Sequence, residues 1–175
     1  MSVSALKFCP KRYRKLLVAA IIKHELPFSF VEYGGIREMT RYLHRDVPLI
    51  SRKTVKVDLV NMHLLEKQNV KSLLNVCTGR ISLTSDMWTS LKIDGYICLT
   101  AHFIDKNWVS SKRVLRFSFM PPPHNGVSLA QKIYDLLQEW RIDKRIFSLT
   151  LDNASANDLC VENLKPKLNM KKALF

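Results

Sequence analysis

Apolar residues recur along this chain at two different spacings, and the spacing changes near residue 75. Before that point they fall at helical intervals. Leu16, Leu17, Ala20 and Ile21 keep the three-and-four spacing of an amphipathic helix, and Pro27 predicts its end because proline disfavours helix in the residue before it. Two further helices are predicted, from Val31 to Leu43 and from Thr54 to Leu74. In the last, Val57, Val60, Leu64, Leu65, Leu73 and Leu74 mark an apolar face, with Lys56, Lys67 and Lys71 largely off it. Residues 46–52 connect the two, and Ser51 stands where an N-cap is wanted.

From residue 80 the period is that of strands. Ile81 to Ser85 predicts a short strand, and Tyr96 to Ile104 a nearly continuous apolar one covered on both faces. Val109 to Met120 alternates, which assigns Leu115, Phe117 and Phe119 to one face and Lys112, Val114, Arg116 and Ser118 to the other. Asp105-Lys106-Asn107 suits the hairpin turn between them. Three prolines from 121 to 123 close the run. Leu129, Ile133, Leu136, Leu137 and Trp140 then predict a helix over Val127 to Trp140, and Ile146 to Leu151 a fourth strand. A helix should follow from about Ala154, with a stop or kink at Pro166, since an interior proline costs on the order of 3 kcal/mol.

This order has a topological consequence. Three strands joined by short turns are antiparallel neighbours, and a right-handed helical crossover returns the fourth parallel to the first. The expected sheet is mixed, with Asp86 and Asp152 at adjacent strand ends. Strands lie about 4.8 Å apart, so both carboxylates are within reach of the same metal ions. Divalent ions about 3.5–4 Å apart activate water and stabilise the leaving oxygen in phosphodiester chemistry. Each acid also has a structural reading: Asp86 as a strand end, and Asp152-Asn153-Ala154-Ser155 as a helix start rich in preferred capping residues.

The totals fit one sizeable core with a smaller helical appendage, at 175 residues and 47% hydrophobic content. Leu16 to Ile22 is the longest apolar run, far below the roughly 20 residues of a membrane-spanning helix, so no membrane partner is expected. Cys9, Cys77, Cys98 and Cys160 are too scattered for a disulfide framework or a zinc finger, and reduced thiols fit the cytosol or nucleus. The formal charge is +13, an excess that attracts polyanions, nucleic acid first. Residues 1–75 hold fourteen basic and six acidic residues against fourteen and nine in residues 76–175, so the helical part is the better phosphate-gripping candidate.

Four blocks, in order, carry a family likeness: His24 to Glu32 (HELPFSFVE), Ser51 to Thr54 (SRKT), Ser82 to Ser90 (SLTSDMWTS) and Thr150 to Asp158 (TLDNASAND). Together they resemble the hAT superfamily of transposases, especially its plant domesticated relatives of the ricesleeper and daysleeper type, over most of residues 12–169. The resemblance implies an α/β fold: an incomplete ribonuclease-H-like sheet of three antiparallel strands, a crossover helix and a fourth strand parallel to the first, preceded by a helical region. It implies two domains, a helical DNA-binding and oligomerisation region over 1–75 and the amino-terminal part of a catalytic domain over 76–175. Asp86 and Asp152 match the first two members of an Asp-Asp-Glu triad holding Mg2+ or Mn2+. Trp88 matches an aromatic that stacks on a displaced base.

Three features depart from that pattern. No ligand set for the usual zinc-binding BED finger is present, so no zinc is expected. The third acid of the triad is unmatched; Glu162, in the helix directly after Asp152, does not correspond to it. Pro166 interrupts that same helix. The expectation is therefore a nuclear, transposase-derived DNA-binding protein, truncated and without transposition activity. Its phosphate contacts are expected from Lys11, Arg12, Arg14, Lys15, Arg52, Lys53 and Lys56, with Trp88 on the bases. Two alternatives stand beside it. One is metal-dependent DNA cleavage with a third acid from elsewhere; the other is an interaction module forming homo-oligomers, or hetero-oligomers with full-length relatives.

Overall fold

The structure, a computed structural model of the chain, describes residues 7–89, 94–152 and 157–168. They form two compact units that divide between Gln68 and Asn69.

In the first unit, α1 (Pro10–Lys23) opens on a proline, whose fixed φ suits a first helical turn where its missing N–H is not needed. A 3-10 turn (Phe28–Glu32) and α2 (Gly34–Leu43) follow, and then the start of α3 (Arg52–Val76). The single helix expected from Val31 to Leu43 is broken at Tyr33, whose backbone is extended. Gly34 and Gly35 follow it, and each glycine costs a helix interior about 1 kcal/mol, so the chain restarts there instead of continuing. Ser51 does cap α3, accepting from the Thr54 amide at 3.2 Å. The apolar face predicted for α3 holds only at its carboxyl end, where Leu74 is buried and Leu73 packs on the sheet unit's core; Val57, Val60, Leu64 and Leu65 are exposed. Val55 is buried instead, among Val18, Ile21, Val31 and Ile50, with Leu59 and Met62 packed against them.

In the second unit a four-stranded sheet runs in the order β3-β2-β1-β4, with β1 (Ile81–Thr89), β2 (Gly95–Ile104), β3 (Ser110–Met120) and β4 (Ile146–Leu151). β1 pairs antiparallel with β2 and parallel with β4, and β2 pairs antiparallel with β3. This is the incomplete ribonuclease-H-like arrangement the sequence implied. One face is covered by α4 (Gly126–Trp140), which buries Leu129, Ile133, Leu136, Leu137 and Trp140 as its periodicity predicts. Asn125 caps α4 by accepting from the Ser128 amide at 2.9 Å.

Three strand expectations are corrected. β1 does not stop at Ser85: Asp86 to Thr89 stay paired with Cys98 to Gly95, so Asp86 and Trp88 lie within the strand. β2 is covered fully on one face only, with Ile97, Leu99, Ala101 and Phe103 buried while Tyr96, Cys98 and His102 are part-exposed. β3 carries a bulge, where Leu99 pairs with Arg116 but Thr100 with Val114. One extra residue reverses the alternation, so Leu115 is 5% exposed while Phe117 is 61% exposed on the other face.

Among the loops, the His124 ring lies so close to Gly95 that a Cβ there would collide with it, and His124 Nε2 is 2.9 Å from the Met120 carbonyl. α5 (Asn157–Lys167) contains Pro166 in its last turn and ends one residue later. Its predicted start at Ala154 lies outside the described residues.

Candidate metal and nucleic-acid site

The parallel ladder between β1 and β4 ends with Ser85 opposite Leu151. Asp86 and Asp152 are the next residues along the two chains, so both acids sit just past the end of this ladder, Asp86 within β1, which stays paired with β2, and Asp152 beyond the end of β4. Both are exposed. Asp152 Oδ1 accepts from Asn157 Nδ2 at 3.1 Å, which draws the first turn of α5 toward the acid. Carboxylate oxygens are hard donors of the kind Mg2+ and Mn2+ take, and Mg2+ is commonly held by one or two carboxylates, with water and substrate phosphates completing its shell. The pair offers such an ion the right type of donor on adjacent strands. Among the described residues no group of three or more His, Cys, Asp or Glu is placed to hold a metal.

Trp88 lies two residues beyond Asp86 and so faces the same side of β1. The register sets Tyr96 opposite Trp88 and Phe119 opposite Tyr96, and Phe117 opposite Cys98. The result is an exposed aromatic floor: Tyr96 stacks on Phe117 at 5.6 Å and 5°, and Trp88 meets Phe117 at 5.9 Å. The sequence singled out Trp88 alone. Alternation placed Phe117 and Phe119 on one face with Leu115, and the bulge that separates them from it leaves no mark in that pattern.

The basic candidates of the helical unit divide into two groups. Arg14 forms a bidentate ion pair with Asp58, Nη2 to Oδ1 at 2.7 Å and Nε to Oδ2 at 3.0 Å. Arg52 donates through Nε to Glu32 Oε2 at 2.7 Å, and its amide donates to Oε1 at 2.8 Å. That amide, above all, holds the Glu32 carboxyl below its ordinary range, with the Arg52 guanidinium adding to the effect. Both arginines therefore act as ties within the unit. Lys11, Arg12 and Lys15 on α1, and Lys53 and Lys56 at the start of α3, are exposed. Lys11 and Lys15 border an open cavity of about 580 Å³ with Pro10, Met62 and Leu65.

Arg145 was not foreseen. Its guanidinium donates to the carbonyls of Leu74, Cys77 and Gly79, closing the carboxyl end of α3 and the connector to β1. A lone arginine before a strand gives no sign of that in sequence. Burial pushes the Cys160 thiol up to about 11, which keeps it neutral and unreactive. No described helix is long and apolar enough to cross a membrane.

Residues 84–175 match the family model of the ZBED1 RNase-like domain. The chain is 37% identical over 150 residues to a Zea mays protein named "Putative AC transposase", covering 86% of this chain and 19% of that protein. It is 30% identical over 164 residues to the zinc finger BED domain-containing protein DAYSLEEPER of Arabidopsis thaliana, covering 94% of this chain and 23% of that protein. Against RICESLEEPER 1 of Oryza sativa subsp. japonica the identity is 29% over 169 residues, with coverage of 96% and 23%. The chain thus spans about a fifth of the length of the curated relatives it matches. No solved structure matches it.

Proposed function

Because the chain belongs to the ZBED1 RNase-like domain family, within the hAT transposases and their domesticated relatives, we propose that this segment is a nuclear DNA-binding element that does not itself carry out transposition. The observation that carries the proposal is the division of the basic side chains in the helical unit. Arg14 and Arg52 are tied to carboxylates, while Lys11, Arg12, Lys15, Lys53 and Lys56 are exposed at two helix starts. Exposed lysines and arginines neutralise phosphates through long-range attraction, a mode that gives salt-sensitive and weakly specific binding. The test is fluorescence anisotropy on a labelled duplex. Replacing Lys11, Arg12, Lys15, Lys53 and Lys56 by Gln is expected to weaken binding at least tenfold, whereas Gln at five exposed lysines and arginines of the second unit should weaken it far less. Equal affinity of the first variant and the parent contradicts the proposal.

A second reading is favoured by the acid pair and the aromatic floor beside it. In that reading Asp86 and Asp152 hold Mg2+ or Mn2+, which when bound supplies charge neutralisation at a phosphate. Asp86 and Asp152 would position the ion at the rim, and Trp88 would stack on a base brought to the floor. Manganese-induced broadening of backbone amide signals tests it without requiring turnover. Amides flanking both acids should broaden together, and Asp86→Asn should abolish the effect at both strands. Broadening at neither strand removes this reading and leaves DNA binding standing.

A further inference from the structure

The rim of the sheet away from the acid pair has the opposite charge. Lys112 near the start of β3, Lys106 in the β2–β3 turn, Arg80 just before β1 and Lys144 just before β4 are all exposed along it. Asp143 and Asp105 are acidic exceptions, and Asp105 Oδ1 accepts from the Asn107 and Val109 amides at 2.8 and 3.0 Å. These bonds fix a turn that holds Trp108 in the left-handed region, at φ 60. That conformation is uncommon for a bulky side chain. The ring gains no burial from it, being 87% exposed. Beside it opens a cleft of about 500 Å³, lined by Thr78, Arg80, Ile104, Asp105, Lys106 and Trp108 among others.

An exposed indole on a hydrogen-bonded turn, with a guanidinium and an ammonium against one carboxylate in the same cleft, matches one ligand chemistry well: a base for the ring and phosphates for the cations. An apolar protein segment would use Ile104 and Trp108 but would leave both cations without purpose. We propose that this cleft is a second DNA contact, in which Trp108 stacks on an unpaired base while Arg80 and Lys106 hold its phosphates. The proposal rests on the DNA-binding reading above and extends it to single-stranded DNA. Arg80 and Asp86 lie six residues apart on one extended segment, or roughly 20 Å. A strand touching both rims would therefore span about six nucleotides at duplex spacing.

The experiment compares the full chain on a blunt duplex and on the same duplex bearing a single-stranded overhang of about six nucleotides. The parent should favour the overhang. Trp108→Ala should erase that preference, a loss of roughly 5- to 100-fold on the overhang substrate, while changing blunt-duplex affinity less than about twofold. Trp108→Phe, which keeps a stacking ring, should retain most of it. Arg80→Gln combined with Lys106→Gln should lower the salt dependence on the overhang substrate by about two phosphate contacts. Unchanged overhang binding in Trp108→Ala overturns this inference and leaves DNA binding intact. So does a change in the sedimentation of the protein without any change in DNA preference, which would mark the indole as a protein contact. Failure of the parent to bind either duplex overturns the DNA-binding reading itself.

Discussion

The helical unit and the sheet unit use charge in different ways. Among the described residues the helical unit gathers five buried apolar side chains, the sheet unit twenty-three. With so small a core, the helices rely on two ion pairs, Arg14 with Asp58 and Arg52 with Glu32, to fix their mutual positions. The sheet unit is organised mainly by burial and strand register, which leaves Arg80, Lys106, Lys112 and Lys144 exposed at one rim, while Arg145 is tied to backbone carbonyls. A basic composition by itself therefore does not count phosphate contacts: in the helices part of it is structural.

The comparison can be broken most forcefully in the sheet core. Leu137→Ala opens a cavity under α4 and should destabilise the sheet unit by about 3 kcal/mol, read as a lower urea midpoint. Arg145→Ala should cost the same unit about 2 kcal/mol by stripping the carbonyls at the end of α3 of their donor. Hydrogen exchange should then rise first around residues 74–81. In the helical unit Asp58→Ala should cost about 1 kcal/mol, because that ion pair is only part-buried, and the loss should appear as faster exchange in α1.

The smallest effect is a pH dependence. The Glu32 carboxyl lies below its ordinary value of 4.5 because the Arg52 amide, aided by the guanidinium, favours the ionised form. Its stabilisation is therefore present above about pH 4.5 and lost as pH falls through the lower folded value. Glu32→Gln should flatten the acid limb of the helical unit's stability curve below about pH 4.5 and leave its slope unchanged near neutrality. An unaltered acid limb would show that this ion pair does not hold the helices.

Much of the sheet was legible because alternation and helical spacing report burial directly. The bounds of β4 and the buried face of α4 match their predictions. The adjacency of the strands that carry Asp86 and Asp152 followed from strand order and the handedness of crossovers, neither of which needs side-chain detail. What stayed hidden depends on two-body geometry. The bulge in β3 moved Phe117 and Phe119 outward, the partner strand carried β1 past Ser85, and distant carboxylates claimed Arg14 and Arg52. In α3 periodicity gave the helix and the buried Leu73 and Leu74 at its end, but Val57, Leu64 and Leu65 are exposed, so it mistook the buried side of the earlier turns.

The central claim is that this segment grips DNA through its phosphates, and the slope of binding against salt tests it most directly. The observed association constant of the full chain for a labelled duplex should fall steeply and linearly on a logarithmic plot as salt rises, by about 0.9 in slope per phosphate contacted. An account built on exposed lysines and arginines predicts a slope corresponding to several contacts. Binding that is absent at low salt, or that does not change with salt, would contradict it.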